Sequence, residues 1–453
     1  MIPTKITQVA KEIDGTLTYE IGDYVSGVAI DSRKVKKGDL FFALKGSITD
    51  GHRYLADAVN NGAAALVVSE MDDTLGTVQI IVEDTFKAIQ QFAGAYISRF
   101  KIPFIAVTGS SGKTTTKDML AAVLSRKYKT MKTPGNLNSS TGALLTLFEL
   151  DETHEMAVVE LSMSMPGEIL ANAQIIKPTC ALITNIGTAH LEYLGSREAI
   201  FKAKCEIFEY FEKDDLLIIN NDDDLLFSLK SDLFEIIRTG IDSGELQALN
   251  IRFDAGISRF DVMIDGELTE FSFPFSGLHF VSNCLLVIAV ALKYSLSILQ
   301  IQEGFDSYSP GLNRMQVTEV NGIKLINDTY NANPNSMKAS IDSLCLMAKD
   351  RKIAILGDMF ELGESARELT EQVGEYAAEN GVDVLYVVGQ LAVSYIDGYR
   401  KVREDGEVEC FDNKETLSKK IISILKPSDT VLFKASRSMQ LEESFDMVKE
   451  LVL

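Results

Sequence analysis

The sequence predicts an α/β protein of three domains, the second and third built on parallel sheets with crossover helices. Three observations predict it. The chain has 453 residues, about three times the usual length of one domain. Apolar runs of strand length alternate with helical segments along most of it. Two breaks divide that rhythm: the segment from Ser98 to Pro103, and the turn-rich DSYSPGLN from Asp306 to Asn313.

Within residues 1–100, strands are expected at Gly27–Ser32, Asp39–Leu44, Ala65–Val68 and Val78–Val82, followed by a helix over Thr85–Tyr96. This is a small α/β N-terminal domain. Across residues 101–312, FIAVTG, MAVVEL, CALITNIG and DLLIIN are nearly unbroken apolar runs separated by helical segments. Strands buried on both faces of a doubly wound parallel sheet have that character. Residues 313–453 repeat the pattern with KLINDTY, KIAILGD, DVLYVVG and TVLFKAS, giving a C-terminal α/β domain of Rossmann-like size.

Composition narrows the function. Hydrophobic residues are 46% and charged residues 24% of the chain, values ordinary for a folded globular protein. Acidic side chains outnumber basic ones 65 to 44, for a net charge of −21, which repels nucleic-acid backbones and anionic membranes. A small polyanion can still bind where a few cations or a bound metal reverse the local field. The five cysteines are scattered without a CxxC pair, as in a reducing compartment. MIPTKITQVAKEIDG lacks the apolar stretch of a signal peptide, and Cys284 to Leu292 is too short to span a bilayer. A cytoplasmic monomer without membrane insertion or nucleic-acid partner is expected.

FIAVTGSSGKTTTKDM places a strand, a glycine turn and then Lys113 and Thr114 at the start of a helix. A P-loop-type phosphate site has this layout: backbone N–H groups and the helix N-terminus face the phosphates, the lysine neutralises charge, and the hydroxyl holds Mg²⁺. Val107 stands where the strict GxxxxGK[ST] pattern has its first glycine. Glu160 ends MAVVEL and His190 follows CALITNIG, the ends of strands where open α/β sheets bind ligands. Alone, such a glutamate is usually a solvated strand end and such a histidine usually structural; together with the loop they describe a phosphate and metal site. In EAIFKAKCEIF, Lys204 shares a helical stripe with Ile200, Ala203, Ile207 and Phe208. Burial there favours a neutral amine, able to act as a nucleophile or to take up CO₂ as a carbamate; the plain alternative is a lysine stem lying on apolar surface.

These motifs, with DSRKVKKGDLFFALKGSITDGH, ITNIGTAHLEYLGS, INDTYNANPNSM, LGDMFELGE and KASRSM, resemble the Mur ligases of peptidoglycan synthesis, in order from Asp31 to Met439. The resemblance implies an N-terminal UDP-substrate domain (1–100), a central ATPase domain (101–312) and a C-terminal domain that closes over the nucleotide (313–453). It implies ATP contacts at Gly109, Ser110, Ser111, Gly112, Lys113, Thr114, Thr115, His279, Asn283, Arg314 and Asp328. Two Mg²⁺ sites are implied, one at Thr114 and Glu160 and one at His190 and a carbamylated Lys204. Lys113, Glu160, His190 and Lys204 are thereby the catalytic candidates. Ser32, Arg33, Lys45, Gly51 and His52 match the uridine-nucleotide domain, and Asn331, Asn333, Pro334, Ser436 and Arg437 match motifs beside the amino-acid substrate.

INDTYNANPNSM and LGDMFELGE resemble the dipeptide-adding branch, implying ATP, a UDP-muramyl tripeptide and D-alanyl-D-alanine as substrates. The alternatives are a relative adding a single amino acid, a folylpolyglutamate synthetase, and a P-loop switch or pseudoenzyme; the N-terminal motifs disfavour the folate enzyme. Departures from the family pattern fall at GNLNSSTGAL, where Ser139, Ala143 and Leu144 differ from the usual residues, and at Ser162, Phe280 and Ala435. None of them removes a phosphate or metal group.

Overall fold

The computed structural model describes residues 1–19, 22–46 and 49–452; Ser47 and Ile48 of the DSRKVKKGDLFFALKGSITDGH motif lie outside them. Among the described residues the strands form one two-stranded sheet and three larger ones of five, nine and six strands. The five-stranded sheet runs, edge to edge, Thr16–Leu17, Val78–Ile81, Ala65–Val68, Asp39–Phe42, Gly27–Ala29. Helix Thr85–Ile97 buries Ala88, Ile89, Phe92, Ala93 and Tyr96 on one face. The Asp84 carboxylate caps its start by accepting from the N–H groups of Phe86 and Lys87.

In the nine-stranded sheet, Phe104–Thr108 lies between Met156–Glu160 and Cys180–Ile183, parallel to both. All three strands are buried along their whole length, which accounts for their unbroken apolar sequences. From Phe104–Thr108 the chain crosses toward one sheet edge, and from Cys180–Ile183 it proceeds toward the other. The carboxyl ends of these two neighbours therefore flank a topological switch point, the usual ligand crevice of an open α/β sheet.

The sheet is mixed rather than wholly parallel. Leu246–Asp254, Ile257–Ile264 and Glu267–Phe273 extend it as an antiparallel meander, and in the C-terminal sheet Gln316–Val320 pairs antiparallel with Ile323–Asn327. These edges differ from the parallel expectation because their faces are only half buried. Their signal is alternation plus tight turns: Asp265 and Gly266 have φ of 51° and 84°, the paired left-handed geometry of a two-residue hairpin turn. Helix Leu278–Lys293 is apolar nearly all round because it packs between the meander, the central strands and helix Lys113–Leu124. No helix among the described residues is long and apolar enough to cross a membrane.

Candidate active site

The loop after Phe104–Thr108 is shaped by two glycines. Gly109 (φ 147°) sits so close to the neighbouring strand that a Cβ there would lie 1.8 Å from Thr184 Oγ1. Gly112 (φ 80°) takes the left-handed turn into helix Lys113–Leu124, whose first N–H groups receive no side-chain cap. Those uncapped donors and the helix dipole make a ready anion site. Asn185 holds the loop from the adjacent strand end: its carbonyl accepts from Ser110 N (3.0 Å) and its Oδ1 from Ser111 N (3.0 Å).

A cavity of about 280 Å³ opens above this loop, roofed by the C-terminal domain. Ser110, Ser111, Gly112, Lys113, Thr114 and Thr115 line its floor, with Glu160 and His190 at its side. Burial pushes the Lys113 ammonium below its usual range, with Glu160 opposing that shift and Arg314 adding to it. Glu160 Oε1 accepts from Thr114 Oγ1 (2.9 Å) and Asn138 Nδ2 (2.5 Å). Its other oxygen, Oε2, is buried without a hydrogen bond, 3.7 Å from Lys117 Nζ.

An unsatisfied buried carboxylate oxygen beside a hydroxyl suits a hard cation that takes its remaining ligands from water and phosphate, as Mg²⁺ does. Among the described residues no three His, Cys, Asp or Glu side chains gather into a cage. The donor set thus fits a cation shared with bound phosphate rather than a dedicated protein metal centre.

Lys204 does lie on the buried stripe. It is 1% exposed, while Lys202 on the other face is exposed, although the α-helix ends at Cys205 and continues only as a 3₁₀ turn. It has no hydrogen-bond or ion-pair partner among the described residues. Burial, reinforced by the nearby Lys113 charge, holds its ammonium well below the usual lysine range. His190 has φ 64°, and its Nδ1 lies 2.6 Å from Glu361 Oε2 of the C-terminal domain. The contact with His190 keeps the Glu361 carboxyl below its ordinary range, against the opposing effect of burial.

From the C-terminal domain, Asp328 bonds Lys434 Nζ (2.5 Å) and Ser340 Oγ (2.7 Å). The Arg314 guanidinium lies 3.7 Å over the Tyr330 ring and has no carboxylate partner among the described residues. Asn333 caps helix Pro334–Met347 and donates across the cavity to Ser110 O (3.4 Å). His279 and Asn283 line the other wall from the first turns of helix Leu278–Lys293. Burial brings the His279 imidazole down to about 4, so it is neutral at physiological pH.

The cavity thus gathers most of the nominated nucleotide residues, with Asn331 and Asn333. Gly109 and Lys204 lie just outside its lining. Ser436 and Arg437 do not line it but sit directly behind it: Ser436 Oγ donates to Ala332 O (3.4 Å) and accepts from Phe360 N, while Arg437 N donates to Asn331 Oδ1 (3.4 Å) and its exposed guanidinium pairs with Glu442. Ser32, Arg33, Lys45, Gly51 and His52 form a separate group on the N-terminal domain. There Arg33 is paired with Asp31, and His52 bridges Asp50 and Ser69 N.

Sequence reasoning missed Lys117, Asn138, Asn185, Tyr330, Lys434 and Glu361. Lys434 and Glu361 lie inside motifs already singled out, KASRSM and LGDMFELGE; Lys117 is one turn beyond Lys113 and carried no separate signal. The departures have local explanations. Ser139 caps helix Ser140–Leu147 through Gly142 N, and Ala143 and Leu144 are core. Ser162 Oγ donates to Asn138 O (2.8 Å) at the cavity edge.

A P-loop-type loop at a helix N-terminus, roofed by a Rossmann-like domain, defines a phosphoryl-handling class of protein. The sequence matches the Mur ligase family catalytic domain over residues 24–108, the Mur ligase middle domain over 107–291 and the Mur ligase glutamate ligase domain over 313–437. It is 35% identical to UDP-N-acetylmuramoyl-tripeptide–D-alanyl-D-alanine ligase of Bacillus subtilis, covering all of this chain and 99% of that one. The fold superposes on a crystal structure of MurF from Acinetobacter baumannii with TM-score 0.92, at 31% identity and 99% coverage of both chains. It also matches MurF from Thermotoga maritima in complex with ADP, with TM-score 0.84, 28% identity, and 94% and 98% of the two chains covered. The chain belongs to the Mur ligase family.

Proposed function

We propose that this chain is an ATP-dependent amide-bond ligase that joins D-alanyl-D-alanine to a UDP-N-acetylmuramoyl tripeptide in peptidoglycan precursor synthesis. The observation that carries the reading is the single cavity where an uncapped helix N-terminus, Lys113, the free Glu160 oxygen and Arg314 converge from two domains. Similarity over 92% or more of the chain to UDP-N-acetylmuramoyl-tripeptide–D-alanyl-D-alanine ligases supports the substrates. The domain limits 1–100, 101–312 and 313–453 and a monomeric state belong to the same proposal.

The chemistry follows from charge. The tripeptide carboxylate attacks the γ-phosphorus, forming an acyl phosphate and releasing ADP. The dipeptide amine then attacks the acyl carbon, loses a proton and displaces inorganic phosphate. Two anions meet in the first step, so the site must supply positive charge and alignment. The loop N–H groups and Lys113 hold the phosphates, while Arg314, kept over Tyr330, adds charge from the opposite domain. Neutral His279 and Asn283 face the nucleotide base, and Asp328 orders the Arg314 loop by accepting from Met315 N (3.1 Å).

Thr114 with Glu160, and His190 with a carbamate on Lys204, would hold two Mg²⁺ ions, which neutralise phosphoryl charge when bound. Neutral Lys204 adds CO₂ at Nζ and releases a proton, turning an uncharged amine into an anion. Ser32, Arg33, Lys45, Gly51 and His52 take the uridine nucleotide.

A competition assay tests the reading. Full-length enzyme is given ATP, Mg²⁺ and each UDP-muramyl precursor with D-alanyl-D-alanine, diaminopimelate, L-lysine and glutamate, and the products are weighed. The dipeptide adduct is expected; a single amino acid adduct would transfer the protein to another branch of the family. ATP hydrolysis independent of both acceptor and amine would contradict ligation altogether.

A further inference from the structure

His190 is reached from outside its own domain. Glu361, in the loop after strand Lys352–Gly357, places Oε2 2.6 Å from His190 Nδ1. The approach is close, but its angle departs from that of a good hydrogen bond, and Nδ1 is otherwise unpartnered. Two further contacts fix the same junction. Glu361 O accepts from Glu192 N (3.0 Å), and Gly363 sits so near that a Cβ on it would be 3.2 Å from Glu192 Cα.

Both ends of the contact adopt a backbone that ordinary residues avoid. His190 and Glu361 each have φ 64° without being glycine. Such conformations persist where surrounding structure overrides their local cost, commonly at functional contacts. They also place the two side chains toward each other across the domain boundary, and His190 lines the cavity from that position.

From this geometry we infer that Glu361 is a positioning residue: on domain closure its carboxylate engages His190 Nδ1 and presents Nε2 to the cation site. The inference rests on the proposed reading of His190 as a cation ligand. A ligating imidazole is ordinarily oriented by a carboxylate or carbonyl on its other nitrogen. Here that carboxylate belongs to a different domain, so the ligand is seated only when the C-terminal domain has docked. The cation site is thereby linked to closure by a contact involving neither ATP nor the peptide substrates.

The test is Mn²⁺ affinity of the full-length protein with a non-hydrolysable ATP analogue, followed by electron paramagnetic resonance. The set is wild type, Glu361→Gln, His190→Ala, the double variant, and Glu364→Gln as a control at an exposed carboxylate of the same loop. Glu361→Gln is expected to weaken Mn²⁺ binding by about 10-fold, the lower end of the usual effect of losing a ligand's orienting partner. The double variant should bind no more weakly than His190→Ala alone, because both changes break one linkage. Glu364→Gln should match wild type. Thermal melting of each variant separates this effect from loss of fold.

Weakened binding in His190→Ala with wild-type binding in Glu361→Gln would overturn the inference and leave the ligand reading standing. Unchanged binding in His190→Ala would overturn the ligand reading and the inference with it. Additive losses in the double variant would also overturn the inference, since Glu361 would then act elsewhere.

Discussion

The ATP-side cavity and the polar cluster of the N-terminal domain both gather nominated residues, yet they differ in how their polar groups are satisfied. At the cavity, Glu160 Oε2 has no hydrogen bond and Arg314 has no carboxylate partner, and Lys204, buried outside the lining, has no hydrogen-bond or ion-pair partner among the described residues. In the N-terminal cluster, Arg33 forms a two-point pair with Asp31, and His52 is engaged through both ring nitrogens. Leaving buried polar groups unpaired costs stability, so a fold keeps them where a ligand completes them. On the proposed reading, the first region is where the chemistry takes place and the second is a preformed surface for the uridine nucleotide.

The largest expected effect is at Lys113. Lys113→Ala should lower kcat by about 10³-fold or more while the melting temperature holds, because its Nζ makes one hydrogen bond in the fold, to Gly109 O (2.7 Å), and its proposed task is to hold phosphate. Near-normal turnover in a folded variant would break the comparison at its strongest point. Lys204→Ala should lose about 10²-fold in kcat and regain part of it with short carboxylic acids, which supply the missing anion. Failure of every small acid to rescue would argue for a purely structural lysine.

The Lys204 environment also gives a pH expectation. Its depressed pKa keeps more neutral amine at a given pH, and only that form takes up CO₂. In CO₂-depleted buffer, activity should therefore fall, more steeply as pH is lowered, and return with bicarbonate.

A smaller effect is expected at His279. Its folded pKa of about 4 lies below the unfolded value of about 6.5, so the unfolded chain binds more protons between them. Its burial thus costs stability progressively as pH falls from about 6.5 to about 4. His279→Gln should flatten the melting-temperature profile over that window relative to wild type. The smallest effect belongs to the N-terminal cluster: Arg33→Ala should raise KM for the UDP substrate by a few fold, about 3-fold, and leave kcat intact. A large kcat loss there would erase the distinction between the two regions.

How much of this was legible in the sequence depended on where the determining interactions lie. Buried parallel strands announce themselves as apolar runs, and the loop before Lys113 as glycines preceding a helix, because both are local. The buried face of Lys204 followed from helical spacing alone. The antiparallel meander was not foreseen, since half-exposed strands dilute their apolar signal. What lay beyond reach was pairing across domains. Nothing local connects Glu361 with His190, or Lys434 with Asp328, residues separated by 106 positions. Arg437 lies in a motif visible in the sequence, but its pairing with Glu442 was not foreseen.

The most direct test of the central claim is to follow oxygen. The terminal carboxylate of the UDP-muramyl tripeptide is labelled with heavy oxygen and ligated to D-alanyl-D-alanine with ATP, and the released phosphate is analysed by mass. Transfer of a labelled oxygen to phosphate is predicted, since the carboxylate oxygen that attacks phosphorus leaves with it. Amide formation with unlabelled phosphate would contradict phosphoryl transfer to the carboxylate in this cavity.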